Sequence, residues 1–320
     1  MKAAVVTRFG RRWSIEVRDV PKPEPAAGDV LVRVRTATVN RTDCGEMRNP
    51  HLMRLMSRAP VRNILGMDFA GEVESVGPGA SEFKPGDQVF GMSPYGRNGA
   101  QAEYVCLPET SAIAVMPNGF PFDQTPVCEG AYYANGSVGK FVRPGCKTLI
   151  YGASGAIGSA AVQLAKYYEA DVTAVVETRH TKLASSLGAD RVVDYTKPEY
   201  GQLVRGFDFV LDAVGKMKVR DWRRLLNPDG HFAVTDLGPG GRDVPFMLWS
   251  AVTGDGRVSV PLPPRGSARQ FVHFLKERME AGEFRAVVDR KYSLDAISDA
   301  YRYVYTAQKA GIVVIDVQSG

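Results

Sequence analysis

The amino-acid sequence predicts an α/β protein in which a doubly wound parallel-sheet domain is joined to a second, β-rich, barrel-like domain. Three observations carry this. The segment Lys147 to Asp190 reads as strand, glycine turn, helix, strand and acid, a single βαβ unit. From Pro121 onward, short and nearly continuous apolar runs alternate with helix-like or turn-rich sequence, as strands buried on both faces do. Before it, short strand-like runs are separated by frequent turn residues, which suits a barrel-like β domain.

In the N-terminal third, Val30, Val32 and Val34 alternate with Arg33 and Arg35, the pattern of a strand with one wet face. Turn signals at Pro25 to Gly28, Pro78-Gly79 and Lys84-Pro85-Gly86-Asp87 punctuate the region. They separate strand-like runs at Phe69 to Val76, Gln88 to Met92 and Ala102 to Leu107. Arg48 to Asn63 breaks this rhythm, being basic and irregular, and is expected to be a loop or short helix over a cleft.

The βαβ unit opens with a strand from Thr148 to Tyr151. The turn Gly152-Ala153-Ser154-Gly155-Ala156-Ile157-Gly158 follows. Ile157, Ala161, Leu164, Ala165 and Tyr168 then recur at helical spacing, and Val172 to Val176 forms a second strand ending on Glu177. Passing from strand directly into helix aims the unpaired N–H groups of the helix, and the positive end of its dipole, at whatever lies above the turn. Gly155 lets a pyrophosphate approach, and Gly158 lets the helix lie close on the strand. Ala153 stands where the first glycine of G-x-G-x-x-G is expected. Glu177 nevertheless lies 19 residues beyond Gly158, where an acceptor for ribose hydroxyls belongs. The alternative is a glycine turn that only connects strand to helix. Further strands are expected at Arg191 to Tyr195, Phe207 to Gly215, His231 to Leu237 and Arg257 to Leu262. A helix is expected over Ala268 to Glu280, then a helix over Asp295 to Thr306 and a strand over Gly311 to Val317.

The 320 residues allow two domains with substantial cores, and 44% hydrophobic with 23% charged content is ordinary for a globular protein. The net charge of +5 is modest and no basic run of five occurs, so a nucleic-acid partner is not expected. No apolar stretch has the length of a membrane span. Cys44, Cys106, Cys128 and Cys146 are scattered, with no C-x-x-C and no secretory leader ahead of them, and predict reduced thiols in the cytoplasm.

The succession of "TATVNRTDCGEM", "ILGMDFAGEVESVGPGASEFKPGDQVFGM", "AEYVCLP", "YGASGAIGSAAVQLAK", "LGADRVVDYT" and "DFVLDAVG" resembles the medium-chain dehydrogenase/reductase superfamily, in its zinc-less, quinone-oxidoreductase-like branch. The resemblance covers nearly the whole chain. It implies a GroES-like catalytic domain over 1–120, joined by 290–320, and a Rossmann dinucleotide-binding domain over 121–289. It also implies a nicotinamide cofactor, NADP(H) or NAD(H), and, by family habit, a homodimer. Zinc-dependent members take ligands from positions that correspond here to Asn40, Met67 and Cys128. Only the cysteine is an ordinary zinc ligand, and the four-cysteine structural lobe is missing, so no metal is expected. Cys128 reads either as a nucleophile or as a small residue lining the nicotinamide pocket.

Without a Lewis acid to stabilise an alkoxide, hydride transfer favours an acceptor that is already electrophilic, such as a quinone or an α,β-unsaturated carbonyl. Asn40, Arg41 and Tyr132 are candidate donors to the developing negative charge, with Asp43 orienting the strand end. Arg41 reads equally as a solvated charge, and Tyr132, standing where the family has Thr, equally as core. The proton-donating Tyr of related enoyl reductases has no counterpart between Asn40 and Gly66. His51 is the only conventional acid there, and water is left as the proton source.

The resemblance places the cofactor against Gly152, Ser154, Gly155, Ala156, Ile157 and Gly158, then Glu177, Thr178, Arg179 and Lys182. Tyr195 is placed near adenine, Ala213 and Val214 beside the ribose and nicotinamide, and Leu237 and Gly238 at the next strand end. Glu177 favours ribose hydroxyls and repels a 2′-phosphate, whereas Arg179 attracts one. At about 4 Å and an effective dielectric near 20, each charge contributes up to about 4 kcal/mol, so the preference between NADPH and NADH stays open. A zinc-dependent alcohol dehydrogenase of unusual ligation and a dinucleotide-binding sensor or structural protein without turnover are the competing functions.

Overall fold

The computed structural model describes residues 1–51, 61–94, 97–203, 205–235, 257–259 and 266–318. Its strands are, in the first unit's opening stretch, β1 (Lys2–Arg8), β2 (Ser14–Asp19), β3 (Asp29–Val39), β4 (Asp68–Val76), β5 (Gln88–Met92), β6 (Tyr104–Pro108) and β7 (Ala112–Val115). There follow β8 (Lys147–Tyr151), β9 (Asp171–Val176), β10 (Arg191–Asp194), β11 (Phe207–Asp212), β12 (Leu226–Val234) and β13 (Val258–Ser259). The last two strands are β14 (Val288–Ser293) and β15 (Ile312–Asp316). The helices that position the site are α1 (Arg41–Arg48), α2 (Cys128–Phe141), α3 (Ala156–Tyr167) and α4 (Thr181–Ser186). Beyond them lie α5 (Pro198–Gly201), α6 (Val219–Leu225), α7 (Ala268–Glu280) and α8 (Ile297–Tyr305).

The chain divides into two compact units, Met1–Glu129 with Gly266–Gly320, and Gly130–Arg265. In the first, a seven-stranded sheet runs β14-β15-β3-β4-β5-β7, with β6 pairing β3. The eleven-residue β3 makes this possible. Its Thr36–Val39 end pairs antiparallel with β15, while its Asp29–Arg33 end pairs with β6 and the whole strand lies against β4. Val30, Val32, Val34, Val39, Phe69, Leu107, Val313 and Ile315 are buried in one core with α8, whose Ile297, Ala300, Tyr301 and Val304 recur at helical spacing. Helix α7 belongs to this unit, packing on β7, although the expected domain boundary at 289 leaves it on the other side.

The second unit holds a six-stranded, wholly parallel sheet in the order β10-β9-β8-β11-β12-β13. Starting from β8, the chain steps outward through β9 to β10, then returns to the other side of β8 for β11, β12 and β13. The order therefore reverses next to β8, the place at which doubly wound sheets open a ligand crevice beyond their carboxyl ends. The expected α/β fold, a Rossmann-type sheet with a β-rich partner unit, is the observed one. The strand expected at Arg257 to Leu262 is described only at its start. Most of the irregular Arg48 to Asn63 stretch lies outside the described residues.

Candidate active site

In the second unit the turn after β8 is built from glycines with distinct tasks. Gly152 has φ +78, and a Cβ on it would lie 2.0 Å from Val214 Cγ2. A Cβ on Gly158 would lie 2.1 Å from the Gly152 carbonyl oxygen and 2.8 Å from Ala153 Cα, so only glycine lets α3 start this close to the strand. Gly155 is the N-cap residue of α3, with no side-chain cap hydrogen bond. A Cβ there would meet nothing nearer than the Gly152 oxygen at 3.6 Å. The space above Gly155 is therefore open, and Ser154, Gly155, Ala156 and Ile157 are half-exposed around it. An anion at this point would face the first N–H groups of α3 with no intervening side chain.

At the end of β9, Glu177 Oε2 accepts from Arg179 Nε at 3.0 Å, and both side chains are substantially solvated. The Thr178 hydroxyl donates to Asp194 and lies 3.2 Å from the Thr196 hydroxyl, tying the β9 and β10 ends together. Lys182 is exposed on α4. Tyr195 is 41% exposed, its ring centroid 5.9 Å from that of Tyr151. Ala213 and Val214 follow β11 in a turn held by Asp212, which is buried. Its Oδ1 accepts from Val214 N at 3.0 Å and Gly215 N at 2.9 Å, and its Oδ2 from Met217 N at 2.6 Å. Burial pushes its carboxyl pKa up against these three donors. Asp212 was not singled out in the sequence, although "DFVLDAVG" contains it; an acid ending an apolar run before a turn is the available signal. Leu237 and Gly238 lie outside the described residues.

In the first unit, Asn40 and Asp43 come together, but on a helix rather than at a bare strand end. Asn40 caps α1, and the Asp43 carboxylate reaches back to accept the Asn40 backbone N–H at 2.7 Å. Its other oxygen accepts Gly66 N at 3.0 Å, joining α1 to the entry of β4. The Asn40 side-chain Nδ2 donates to Glu129 Oε2 at 2.8 Å and to Thr38 Oγ1 at 3.1 Å, with Asp68 Oδ2 at 3.4 Å. Both its hydrogens are thus engaged with neighbours, which leaves Asn40 to position Glu129 rather than to donate to an acceptor. Asp68 in turn accepts the Glu129 backbone N–H at 2.8 Å.

Three buried carboxyl groups therefore converge on Asn40, Glu129 and Asp68 at its side-chain amide and Asp43 at its backbone N–H. Desolvation, then the charge of Glu129, raises Asp43 and Asp68 well above the usual carboxylate range. Desolvation raises Glu129 as well, against the Thr42 hydroxyl and the Asn40 amide. Glu46, buried nearby, is raised by desolvation and accepts from Asn98 Nδ2 at 2.8 Å. Lys309 is half-buried, donates to the Gly311 carbonyl, and is lowered to about 8 by desolvation, with Glu129 acting in the opposite sense. Sequence spacing gave no sign of Glu129, Asp68 or Lys309, because the cluster is assembled from four distant segments.

Tyr132 lies on α2 in the second unit, half-buried, its ring centroid 6.5 Å from that of Tyr133. Arg41 is exposed. The residues at the zinc-ligand positions do not fit that metal. Asn40 turns N–H groups toward the carboxylates, Met67 offers only a thioether, and burial with the charge of Asp68 keeps the Cys128 thiol protonated. Among the described residues, no group of three or more His, Cys, Asp or Glu is placed to hold a metal.

The second unit's wholly parallel sheet with its open glycine turn has the doubly wound form that binds dinucleotides, and the first unit's sheet is largely antiparallel. Residues 26–118 match the family described as alcohol dehydrogenase GroES-like domain, and residues 187–315 that described as zinc-binding dehydrogenase. A trans-enoyl reductase of Aspergillus terreus is 30% identical over 316 residues, covering 90% of this chain and 86% of its own. The chloroplastic quinone-oxidoreductase homolog of Spinacia oleracea is 27% identical, covering 93% of this chain and 92% of its own. The quinone oxidoreductase structure from Coxiella burnetii superposes with a TM-score of 0.84 over 99% of both chains at 22% identity, a likeness of fold. The chain belongs to the medium-chain dehydrogenase/reductase superfamily, in its quinone-oxidoreductase-like branch, and is an oxidoreductase. No described helix is long and apolar enough to cross a membrane.

Proposed function

We propose that this protein is a zinc-independent, NAD(P)H-dependent reductase of a quinone or an α,β-unsaturated carbonyl. The observation that carries this is the open turn at Gly155, in a family whose relatives include quinone oxidoreductases and an NADPH-dependent alkenal/one oxidoreductase of Arabidopsis thaliana. Unit 2 holds the dinucleotide along Gly152 to Gly158, with Glu177, Thr178, Arg179 and Lys182 around the adenosine ribose and Tyr195 along the adenine. Ala213 and Val214 border the nicotinamide ribose, and Leu237 and Gly238, outside the described residues, are assigned to the cofactor on the family resemblance alone. The residues assigned to the chemistry are Asn40 and Asp43 of the first unit and Tyr132 of the second. Hydride passes from C4 of the nicotinamide to the electrophilic carbon or quinone, and the resulting anion is protonated. The poor donor set at Asn40, Met67 and Cys128 supports chemistry without zinc. Free cysteines support a reducing compartment such as the cytoplasm, and family habit supports a homodimer.

The test is NADPH and NADH oxidation with a 1,4-quinone and with an enone, run on protein whose zinc content is measured in parallel. Turnover with substoichiometric zinc is expected. Turnover that appears only with bound zinc would restore the alcohol-dehydrogenase alternative, and intact cofactor binding without any turnover would favour the sensor.

A further inference from the structure

Beyond the carboxyl ends of β9 and β10, within the second unit, Thr178, Asp194 and Thr196 share one hydrogen-bond network. Asp194 closes β10 opposite Val176, and the Tyr195 N–H reaches the Val176 carbonyl at 3.0 Å. Glu177 and Thr178 on one strand end are thereby set beside Tyr195 and Thr196 on the other. The Asp194 carboxylate joins them. Its Oδ2 accepts the Thr178 hydroxyl, and its Oδ1 accepts the Thr196 hydroxyl at 2.7 Å and the Thr196 backbone N–H at 2.9 Å. The donors from Thr178, then Thr196, hold the Asp194 carboxyl below the usual range, so it is ionised and can only accept.

A threonine hydroxyl carries one proton and two lone pairs. Once that proton is committed to Asp194, only lone pairs are left for a ligand. Thr178 and Thr196 are both exposed, their oxygens 3.2 Å apart, and the half-exposed Glu177 adds a third acceptor beside them. A ligand that fits such a rim brings hydroxyl donors, as the adenosine ribose of NADH does. The 2′-phosphate of NADPH brings acceptor oxygens instead. Charge does not make this distinction by itself, because Arg179 and Lys182 offset Glu177 and Asp194, and Arg179 Nε is held by Glu177 at 3.0 Å. Hydrogen-bond polarity does.

We infer that Asp194 is a specificity-determining residue acting through Thr178: by holding its hydroxyl proton, Asp194 keeps this rim an acceptor of ribose hydroxyls and selects NADH over NADPH. This rests on the proposed dinucleotide-dependent reductase activity. Asp194 is a positioning residue, and its effect passes through an oxygen that is not its own.

The experiment measures Kd for NADH, NADPH and NADH lacking the adenosine 2′-hydroxyl, by nicotinamide fluorescence, in wild type, Asp194→Asn, Thr178→Val and the double variant. In Asp194→Asn the amide oxygen stays with the two Thr196 donors, which need an acceptor, and the amide nitrogen is left facing Thr178. That nitrogen donates to the Thr178 oxygen and turns the hydroxyl proton outward. One net hydrogen bond changes affinity about three- to tenfold. With one lost to NADH and one gained by NADPH, the ratio of NADPH to NADH affinity should rise about tenfold or more. Thr178→Val, which keeps Asp194 and tests the acceptor independently should Asp194→Asn unfold, should weaken NADH about three- to tenfold and NADPH less than about twofold. The 2′-deoxy analogue should bind wild type correspondingly less tightly than NADH, with the gap closed in Thr178→Val. Adding Asp194→Asn to Thr178→Val should move the ratio less than about threefold, since only a screened surface charge is then removed. Wild-type protein that prefers NADPH, an Asp194→Asn variant that weakens both dinucleotides equally, or the same ratio shift with and without the Thr178 hydroxyl would overturn the assignment while leaving the reductase reading intact. Wild-type protein that binds neither dinucleotide at millimolar concentration would overturn both.

Discussion

The glycine turn of the second unit and the carboxyl cluster of the first solve opposite problems. At Gly155 the chain removes side chains and leaves backbone donors facing open space, so that the missing partner must come from outside. Around Asn40 the chain gathers polar side chains, buries them and links them by hydrogen bonds, leaving only a few of their oxygens, such as Asn40 Oδ1 and Glu129 Oε1, without a partner among the described residues. A site that binds an anion can be specified by what is absent. One that manages protons in a dry interior has to be specified by how many groups share too few hydrogens.

The sharpest way to break the first half of this contrast is Gly155→Asp. The added Cβ has room, so the fold should survive, but a carboxylate would stand against the phosphates. Dinucleotide affinity should fall by about 10²-fold or more, as expected of a like-charge contact worth several kcal/mol. Calorimetric titration with unchanged melting would show it, and undiminished binding would mean that the cofactor lies elsewhere.

The second half breaks at Asp43. Replacing it with alanine strands the buried N–H groups of Asn40 and Gly66, which should cost about 2–5 kcal/mol of unfolding free energy. Asp43→Asn, which retains one acceptor, should cost less. Urea denaturation of the pair measures the difference, and equal, negligible losses would contradict a bracing role.

A smaller effect sharpens the boundary of the dinucleotide site. Glu177→Ala should move the ratio of NADPH to NADH affinity toward NADPH by about tenfold or less, because both Glu177 and Arg179 are well solvated and such charges are screened. The smallest effect reads the cluster through pH. Folded pKa values raised above the unfolded ones mean that the native state binds more protons. The carboxyl groups thus weaken stability progressively as pH rises from about 4 through their native values. Glu129→Gln removes one such group. Its melting temperature should gain on wild type by about 2 °C or more between pH 5 and pH 8, and a constant gap would count against a raised Glu129.

These two regions also differ in how far the sequence reveals them. The turn was legible because its parts are contiguous. A strand, Gly152 to Gly158 and an acid at Glu177 fix the geometry within one βαβ unit, and β8, α3 and β9 formed within a residue or two of expectation. The cluster was not legible. Asn40 and Asp43 were visible through a family motif, yet the capping of α1 by Asn40 went unseen because "TVNRTD" reads as the end of a strand. Glu129, Asp68 and Lys309 meet them only because β3, β4, α2 and the segment before β15 converge, and no local spacing encodes that. Asp212 is intermediate, within a recognised motif but with a bracing task that only the three converging N–H groups disclose.

The most direct test of the central claim is a side-by-side titration of the protein with NADPH and NADH, following the fluorescence of the bound nicotinamide, in wild type and in Gly155→Asp. Saturable binding of at least one dinucleotide, lost in the variant, is the predicted result. Absence of binding of either at millimolar concentration, or binding that survives the substitution, would contradict it and return the glycine turn to plain architecture.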